Sequence, residues 1–525
     1  MLFNSVDFIL FFLPSAVVSF FLVARFVGPR VGLFCLVICS LAYYGYWNWT
    51  YIFLILGSAL GNFSLGKILQ HSTRNKDRWM LAALGIITNL MVLGYFKYLN
   101  FTAENLNQIF GLAWQIEKII LPIGLSFFTF QQIAYLVDSY KNQVHSNNFL
   151  SYVLFVSFFP QLIAGPIVHH KEMLPQFLRK ETFEPKLSNI LIGFSIFSFG
   201  LFKKVILADN LAKIVAPVFL RAEAELIPDF IDAWVATTAF SLQIYFDFSG
   251  YSDMAIGLAL IFGIRLPLNF FSPYKATGII EFWRRWHITL SRFLREYLYI
   301  PLGGNRDGKI RKYFNIGVTM LLGGLWHGAG WNFVIWGGLH GIFLCINHVW
   351  RDAIPNRIQR SLPVSFGHIL TLFAVAIAWV FFRAETFHGA INIIKGLFNF
   401  SYLETNHIDT LNNIRYGLHL IWEIVFSDSR IVYITEFTSF VYTLPNLYSA
   451  QDLPWLIIPI LMVLHLPNTQ EIFSLFSGVN FNRSEPSDSV ISWRPDKAWA
   501  ITTGIVFVSS LYFLNQPTEF IYFQF

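Results

Sequence analysis

Long apolar runs with few charged residues recur along most of the chain and constrain its fold more than any other feature. A helix needs about 20 residues to cross about 30 Å of hydrocarbon, and many of the runs approach that length. They lie at 7–27, 31–47, 50–69, 79–96, 119–137, 150–168, 189–207, 233–263, 314–325, 331–349, 369–382, 453–466 and 498–514. Alternating segments of about ten residues, which are typical of transmembrane barrels, are absent from the sequence. The pattern predicts an all-α, polytopic integral membrane protein with about 11 to 13 transmembrane helices.

The composition supports this class. Only 13% of the 525 residues are charged, whereas soluble proteins carry about 25%. So few charges leave too little polar surface to cover a water-soluble globule. The net charge of +6 does not indicate nucleic acid as a partner, because excess Lys and Arg in a membrane protein usually lie in cytoplasmic loops. We therefore expect membrane lipid, and no nucleic acid, around this chain.

Basic residues near the first four runs predict the orientation. Arg25 and Arg30 lie between the first two runs, and the loop 71–78 is basic, whereas the turn 47–50 carries no charge. Positive loops face the cytoplasm, so the N-terminus is predicted to be extracytoplasmic. The run 7–27 lacks a basic n-region and a cleavage site, and we interpret it as a retained first helix.

The chain divides into three predicted regions. Residues 1–118 supply N-terminal transmembrane helices, 119–400 hold the motifs that carry chemistry, and 401–525 combine polar loops at 401–452 and 467–497 with the last helices. Glycine and proline interrupt some runs, as in LPIG at 121–124 and AGP at 164–166. Such interruptions are tolerated where backbone lines a cavity enclosed by protein, so we also expect re-entrant or interfacial helices.

The strongest concentration of positive charge runs from 284 to 312, and its first part, 282–299, interleaves arginines with large aromatic residues. Charges are costly at the bilayer centre, so we expect this segment at the cytoplasmic interface with its aromatic side chains directed inward. The sequence GGNR at 303–306 is only a fragment of a phosphate-binding loop. It is open to two interpretations, binding of donor phosphates or anchoring at the interface.

Two of the thirteen histidines differ from the others in their surroundings. His327 lies in a glycine-rich apolar stretch, where a buried imidazole needs a hydrogen-bond partner and where ionisable residues are functional candidates. The alternative is a core histidine among small residues that pack two helices together. His287 follows the arginines of the basic segment, and its alternative is a simple interfacial side chain.

Other polar residues give weaker signals. On one continuous helix His340 would face about 140° away from His327, so we interpret it as structural. The adjacent His169 and His170 cannot face one way on a helix, and we predict no metal site there. Asp247 and Asp253 are expected to be buried, either orienting a histidine or pairing with an arginine. The three cysteines are interpreted as small apolar residues.

Six motifs together resemble those of the membrane-bound O-acyltransferase family, and most of all its bacterial branch that O-acetylates alginate. They are SFFTFQQ at 126–132, FFPQLIAGPI at 158–167, YFDFSGYSDMAIG at 245–257, FWRRWHITLS at 282–291, YIPLGGNR at 299–306 and LWHGAGWN at 325–332. Their order and spacing extend the resemblance over most of residues 1–400. The ending FIYFQF at 520–525 is also similar to this branch.

The resemblance implies a ring of helices around a central tunnel through which a cytoplasmic thioester meets an extracytoplasmic hydroxyl. It implies that His327 is the family's essential histidine and that His287 fills the second active-site position. A neutral imidazole with a pKa of about 6.5 accepts a proton at working pH, so His327 is expected to be the general base. His287 is then expected to position or polarise the thioester, and a covalent acyl-histidine stays open. Further donor or tunnel residues on this interpretation are Trp283, Trp286, Asn305, Arg306, Lys309, Trp326, Asn332, Asp247 and Asp253.

The resemblance also implies a reaction and its setting. We expect transfer of an acyl group, acetyl above all, in the bacterial inner membrane, for O-acetylation of an exopolysaccharide such as alginate. Acetyl-CoA or an acetylated carrier protein would be the donor substrate, with no permanently bound cofactor and no metal. Periplasmic acetyltransferases and polysaccharide secretion machinery are the expected partners. Two alternatives stay open, a non-catalytic channel or transporter and a scaffold subunit, although the internal repeat of many transporters is not visible.

Overall fold

The computed structural model describes residues 1–112, 114, 116–144, 148–355, 363–400, 454–474, 491–514 and 521. Every regular element in these ranges is a helix, as the apolar runs predict. The predicted loop 401–452, the part 475–490 of the second predicted loop, and all of the closing hexapeptide except Ile521 lie outside the described residues.

The helices follow the predicted runs closely. The first group is α1 (Leu13–Phe26), α2 (Pro29–Gly45), α3 (Tyr51–His71), α4 (Asn75–Leu93) and α5 (Leu99–Phe110). The second group is α6 (Leu125–Tyr140), α7 (Phe149–Ser157), α8 (Phe159–Leu162), α9 (His170–Met173), α10 (Leu187–Phe202), α11 (Asp209–Glu223) and α12 (Phe230–Ile261). The third group is α13 (Ile279–Arg285), α14 (Ile288–Leu294), α15 (Gly308–His327), α16 (Trp331–Ala353), α17 (Val364–Arg383) and α18 (Phe387–Gly396). The last group is α19 (Pro454–His465), α20 (Thr469–Ile472) and α21 (Lys497–Phe513).

Within the described ranges, six helical stretches are long and apolar enough to cross a membrane, which confirms the polytopic helical class. They are Asp7–Phe26, Tyr51–His71, Asn75–Phe110, Leu187–Glu223, Trp331–Ala353 and Val364–Arg383. Three of them include a π-helical turn, and these turns are Asp7–Phe12, Gly94–Tyr98 and Lys203–Ala208. Three shorter apolar helices, α2, α19 and α21, accompany the six.

Two glycine- and proline-containing interruptions shape the centre of the molecule. The predicted interruption at 121–124 is confirmed, because α6 begins only at Leu125 after Gly124, whose φ is 76°. The apolar run 150–168 was predicted to be interrupted at 164–166, and no helix covers those residues, but the structure also breaks the run earlier. It is divided between α7 and α8 at Phe158, and the nine residues of α7 span only about 13 Å. Residues Ser151–Ser157 of α7 and all of α8 are buried inside the protein, where an interrupted backbone is tolerated.

Glycines set the close packing of α15 against α16. A Cβ atom on Gly324 would lie 2.2 Å from the carbonyl oxygen of Phe333, and one on Gly337 would lie 2.2 Å from that of Met320. Small residues at such positions let helix backbones approach closely. For these two glycines the helix-packing interpretation is therefore correct. The resulting helix pair fixes the position of His327 at the end of α15.

Candidate functional site

His327 is the last residue of α15, and the short segment Gly328–Gly330 turns the chain into α16. Its side chain is buried, with 4% of the residue exposed. Aromatic rings surround the imidazole, with centroids at 5.0 Å for Trp326, 5.0 Å for Trp336 and 5.4 Å for Phe382. The helix end thus presents a histidine within an aromatic enclosure.

His287 lies between α13 and α14, and its backbone adopts a left-handed conformation with φ of 43°. Few residues other than glycine adopt positive φ, and strained residues of this kind cluster at functional sites. The side chain is fully buried, and its Nδ1 lies 3.0 Å from Oδ1 of Asn269. The same oxygen accepts a hydrogen bond from the Thr289 hydroxyl at 2.9 Å. Since an amide oxygen only accepts, the Nδ1 of His287 carries the proton in the neutral ring and Nε2 carries the lone pair.

The structure brings the two predicted histidines together from different elements. Their ring centroids are 6.1 Å apart, although 40 positions separate them in the chain. Trp326 contacts both rings, with centroids 5.0 Å from His327 and 6.2 Å from His287. The indole therefore forms one side of a shared histidine centre, the name used below for His287, Trp326 and His327.

A cavity of about 650 Å³ opens onto this centre. His327 and Trp326 line it together with the segment 118–127, the aromatic residues of the α2 end and Lys97. A volume of this size accommodates a small ligand or part of a longer one. The site thus combines a buried imidazole with space for a reacting group beside it.

Comparison with known proteins assigns this arrangement to a family. Residues 41–384 match the membrane-bound O-acyltransferase family, MBOAT. The chain belongs to that family. A peptidoglycan O-acetyltransferase of Helicobacter pylori is 43% identical over 434 residues, which are 78% of this chain and 82% of the relative. A probable alginate O-acetylase of Pseudomonas aeruginosa is 39% identical over 420 residues, which are 78% of each chain. A teichoic acid D-alanyltransferase of Bacillus subtilis is 25% identical over 286 residues, covering 52% of this chain and 71% of the relative.

Membership makes the chain a membrane protein and an O-acyltransferase, and it disfavours the channel and scaffold alternatives.

Three other predicted residues of this MBOAT protein lie around the histidine centre. Trp286 is almost fully buried and packs on Trp379 with ring centroids 4.9 Å apart. Trp283 donates its indole N–H to Nδ1 of His340 at 3.3 Å. Asn332 donates to the carbonyl oxygen of Ala384 at 2.8 Å, which ties the start of α16 to the end of α17.

The predicted donor residues of the basic turn lie at the far end of α15. Asn305, Arg306 and Lys309 are exposed there, next to Gly303 and Gly304, whose φ angles are 110° and 60°. The 20 residues of α15 span about 30 Å, so this turn and His327 occupy opposite ends of one helix. The turn therefore lies apart from the histidine centre.

Asp247 and Asp253 pair with lysines, so both predicted alternatives, a histidine and an arginine, are wrong. Asp247 lies 2.8 Å from Nζ of Lys204, and that ammonium is also 2.7 Å from Asp209. Asp253 lies 2.6 Å from Nζ of Lys203. The two carboxylates hold α12 to the π-helical turn after α10, which is a packing role outside the histidine centre.

His169 and His170 are adjacent in the chain, yet both rings approach Asp138, with nitrogen–oxygen distances of 2.8 and 3.8 Å. The expectation that they must diverge is wrong, because His169 precedes α9 with extended backbone and only His170 belongs to the helix. The three side chains offer ligand atoms within 4.8 Å of one another. However, the ammonium of Lys171 lies 3.7 Å from the same carboxylate and opposes the binding of another cation.

Sequence reasoning left out two residues that lie near the histidine centre, one interpreted as structural and one not considered. His340 was interpreted as structural on the assumption of one continuous helix with His327, and that assumption is wrong because the chain breaks at Gly328–Gly330. Within α16, His340 packs on Trp336 with ring centroids 4.9 Å apart, and Trp336 in turn contacts His327 at 5.0 Å. Lys97 was not considered. It is a lone lysine directly after the apolar run 79–96, and an ionisable residue at such a position marks a functional candidate in the sequence alone.

Proposed function

We propose that this protein transfers an acetyl group from a cytoplasmic thioester to a hydroxyl of a cell-envelope or secreted polysaccharide on the extracytoplasmic side. His327 acts as the general base in this reaction, and His287 positions the reactants. The observation that carries the proposal is the pair of buried histidine rings 6.1 Å apart, of which His327 lines a cavity of about 650 Å³.

The chemistry moves one proton from the hydroxyl to the sulfur by way of the imidazole and replaces the C–S bond at the carbonyl carbon with a C–O bond. An alcohol attacks a thioester slowly while it keeps its proton, and the neutral imidazole of His327 removes that proton as the new C–O bond forms. The C–S bond then breaks, and the departing sulfur takes the proton back from the imidazole to leave a free thiol. General base catalysis of this kind contributes typically about 10²–10⁴-fold. The aromatic enclosure restricts access of water, which would otherwise hydrolyse the thioester.

The tautomer of His287 selects between its two predicted roles. Its Nδ1–H is donated to Asn269, so Nε2 offers a lone pair. A lone pair accepts a hydrogen bond from an amide or hydroxyl of a reactant, whereas polarising a carbonyl requires a donor. The geometry therefore supports positioning over polarisation as the role of His287.

The relatives support the identity of the acyl group and the class of acceptor. Two whose alignments cover 78% of this chain are named for O-acetylation of peptidoglycan and of alginate. We therefore take acetyl as the acyl group and a polysaccharide as the final acceptor, reached directly or through a periplasmic acetyltransferase partner. The donor on this proposal is acetyl-CoA or an acetylated carrier protein, with no metal or permanently bound cofactor. The partner machinery would be that of polysaccharide modification in the bacterial inner membrane.

Replacement of His327 tests the function. Cells that depend on this protein are fed ¹⁴C-acetate, and alkali-releasable label is measured separately in peptidoglycan and in secreted polysaccharide. His327→Ala is expected to lose the label from one of these fractions while the protein inserts at normal abundance. His348→Gln is the matched control, since His348 is a half-buried histidine in the next helix. Wild-type labelling of both fractions in His327→Ala would contradict the proposal, and the fraction that loses label identifies the polymer.

Cysteine labelling tests the proposed orientation, in which the N-terminus is extracytoplasmic. Cysteines introduced at Asn75 and Asp307 are expected to be protected from an impermeant thiol reagent in intact cells, and one at Asn48 is expected to react. Asn75 begins α4 and Asp307 precedes α15, so both mark ends predicted to be cytoplasmic. Labelling at Asp307 from outside would reverse the proposed direction of donor entry.

A further inference from the structure

Lys97 carries a positive charge to the cavity beside His327, and the mechanism above does not use it. The residue lies in the π-helical turn Gly94–Tyr98, inside the membrane-spanning stretch Asn75–Phe110, and it is half-buried. Among the described residues, no carboxylate lies within 4.0 Å of its Nζ. A charged side chain without a counter-ion at membrane depth is costly, and such residues are functional candidates by default.

The partners of this ammonium are backbone carbonyls at the end of α15. Its Nζ donates to the carbonyl oxygens of Trp326 and His327, the latter at 3.1 Å. The next residue, Tyr98, donates its hydroxyl to the carbonyl oxygen of Leu325 at 2.8 Å. Two neighbouring side chains thus bind three consecutive carbonyls, and the last of these belongs to the residue that bears the proposed base.

These contacts supply hydrogen-bond donors to carbonyls at the C-terminal end of α15. The last four carbonyls of an α-helix have no partner within the helix, and a cation near that end also interacts favourably with the helix dipole. Nζ additionally lies 5.8 Å from the ring centroid of Trp326, which is a cation–π distance. Trp326 in turn contacts both histidine rings, so Lys97 holds the backbone and the indole that define the histidine centre.

The π-helical turn is the structural device that makes this possible. A π turn inserts one residue into an α-helix and is found frequently at functional sites. Here it directs the consecutive residues Lys97 and Tyr98 toward the same helix end. The turn joins α4 to α5 within one continuous stretch, so both side chains are presented from a membrane-spanning element.

We propose that Lys97 is a positioning residue for acyl transfer, which fixes the backbone of Trp326 and His327 and so holds the imidazole at the cavity wall. This inference rests on the proposed function of His327. A misplacement of about 1 Å at a reacting group can reduce a rate by about 10²-fold, so loss of these contacts is expected to affect the rate strongly.

Three variants separate positioning from general stability. Lys97→Met keeps the length of the side chain and removes its charge and donors, and it is expected to reduce ¹⁴C-acetate incorporation into polysaccharide by about 10- to 100-fold. Lys97→Arg restores a cation with several N–H donors and is expected to recover most of the lost rate. Lys67→Met is the matched control, because Lys67 is also half-buried and lies 5.6 Å from the Phe63 ring centroid. Within the part of the chain that the structure describes, its ammonium has no hydrogen bond to α15, so its replacement should leave the rate unchanged.

A second measurement reports the position of His327 directly. Purified protein is treated with diethyl pyrocarbonate, and modification of His327 is followed by mass spectrometry together with the thermal midpoint. Positioning predicts an altered modification rate in Lys97→Met, a restored rate in Lys97→Arg and similar thermal midpoints. Wild-type incorporation in Lys97→Met overturns the inference. A loss of incorporation that only follows loss of folded protein, with unchanged His327 modification, also overturns it.

His327→Ala in the same cells distinguishes the two proposals. If that variant keeps the wild-type rate, the proposed function itself fails. If it is inactive while Lys97→Met is unaffected, only the positioning role of Lys97 fails.

Discussion

Lys204 and Lys97 both carry charge into the protein among membrane-spanning helices, but their surroundings differ. The ammonium of Lys204 lies between the carboxylates of Asp209 and Asp247, at 2.7 and 2.8 Å, and joins two helices. The ammonium of Lys97 binds backbone carbonyls at the edge of a cavity. Pairing with carboxylates neutralises a buried charge and makes it part of the packing. Lys97 is instead held by carbonyls and the Trp326 ring, and it lies at the cavity wall.

The same contrast separates the histidine centre from the carboxylates of α12. In the sequence all four are polar residues beside apolar or aromatic ones, and the structure separates them by their partners. Asp247 and Asp253 have lysine partners at 2.8 and 2.6 Å. His287 and His327 face each other among aromatic rings. A buried polar group is thus a stronger functional candidate when its surroundings are aromatic and include a cavity than when they contain its counter-ion.

Breaking the Lys204 network should give the largest effect on stability. Lys204→Met leaves Asp209 and Asp247 buried without their shared cation, and removing one partner of a buried pair costs about 3–5 kcal/mol. We expect a low abundance in membranes and a lowered thermal midpoint in detergent. Lys312→Met is the control, because its partner Asp352 is 38% exposed and the oxygen–nitrogen distance is 3.9 Å. Equal stability of the two variants would remove the distinction between the two regions.

Replacement of His287 should affect activity more than stability. His287→Ala is expected to reduce acetyl transfer on the order of 100-fold, and His287→Asn less, because Asn keeps a hydrogen-bonding side chain and tolerates positive φ. His287→Gly controls for the backbone, since glycine adopts the φ of 43° without strain. If the Gly variant is as active as wild type, the side chain has no positioning role.

Charge reversal at the basic turn should give the smallest effect on the chemical step. Arg306→Glu with Lys309→Glu is expected to raise the apparent KM for the donor and to leave kcat nearly unchanged, because exposed charges act mainly on the encounter. Added salt should reproduce part of this change in the wild type. The measurement is initial rate against donor concentration in inverted membrane vesicles, across a salt series. An unchanged KM with no salt dependence would leave the turn as an interfacial anchor.

The sequence predicted the helices well where a long apolar run indicated one helix. It predicted the interruption at 164–166 but missed the break at Phe158, because hydropathy does not reveal that a buried segment is divided between two short helices. His287 and His327 could be singled out from their unusual neighbours, but their contact depends on tertiary packing across 40 positions. Lys97 contacts a residue 230 positions away, and no local pattern encodes that distance. The partners of Asp247 and Asp253 were missed for the same reason.

The length of α15 also sets the distance between the basic turn and the histidine centre, which a donor bound to both would have to cover. Its exposed basic end and its buried histidine end are about 30 Å apart, the thickness of the hydrocarbon core of a bilayer. A small activated acetate such as acetyl phosphate cannot reach both ends at once and would gain nothing from the basic turn. A thioester on a long flexible arm covers more of this distance, because its acyl group lies far from its phosphates. The helix would in this way favour long carriers over short ones without any contact to the acyl group itself.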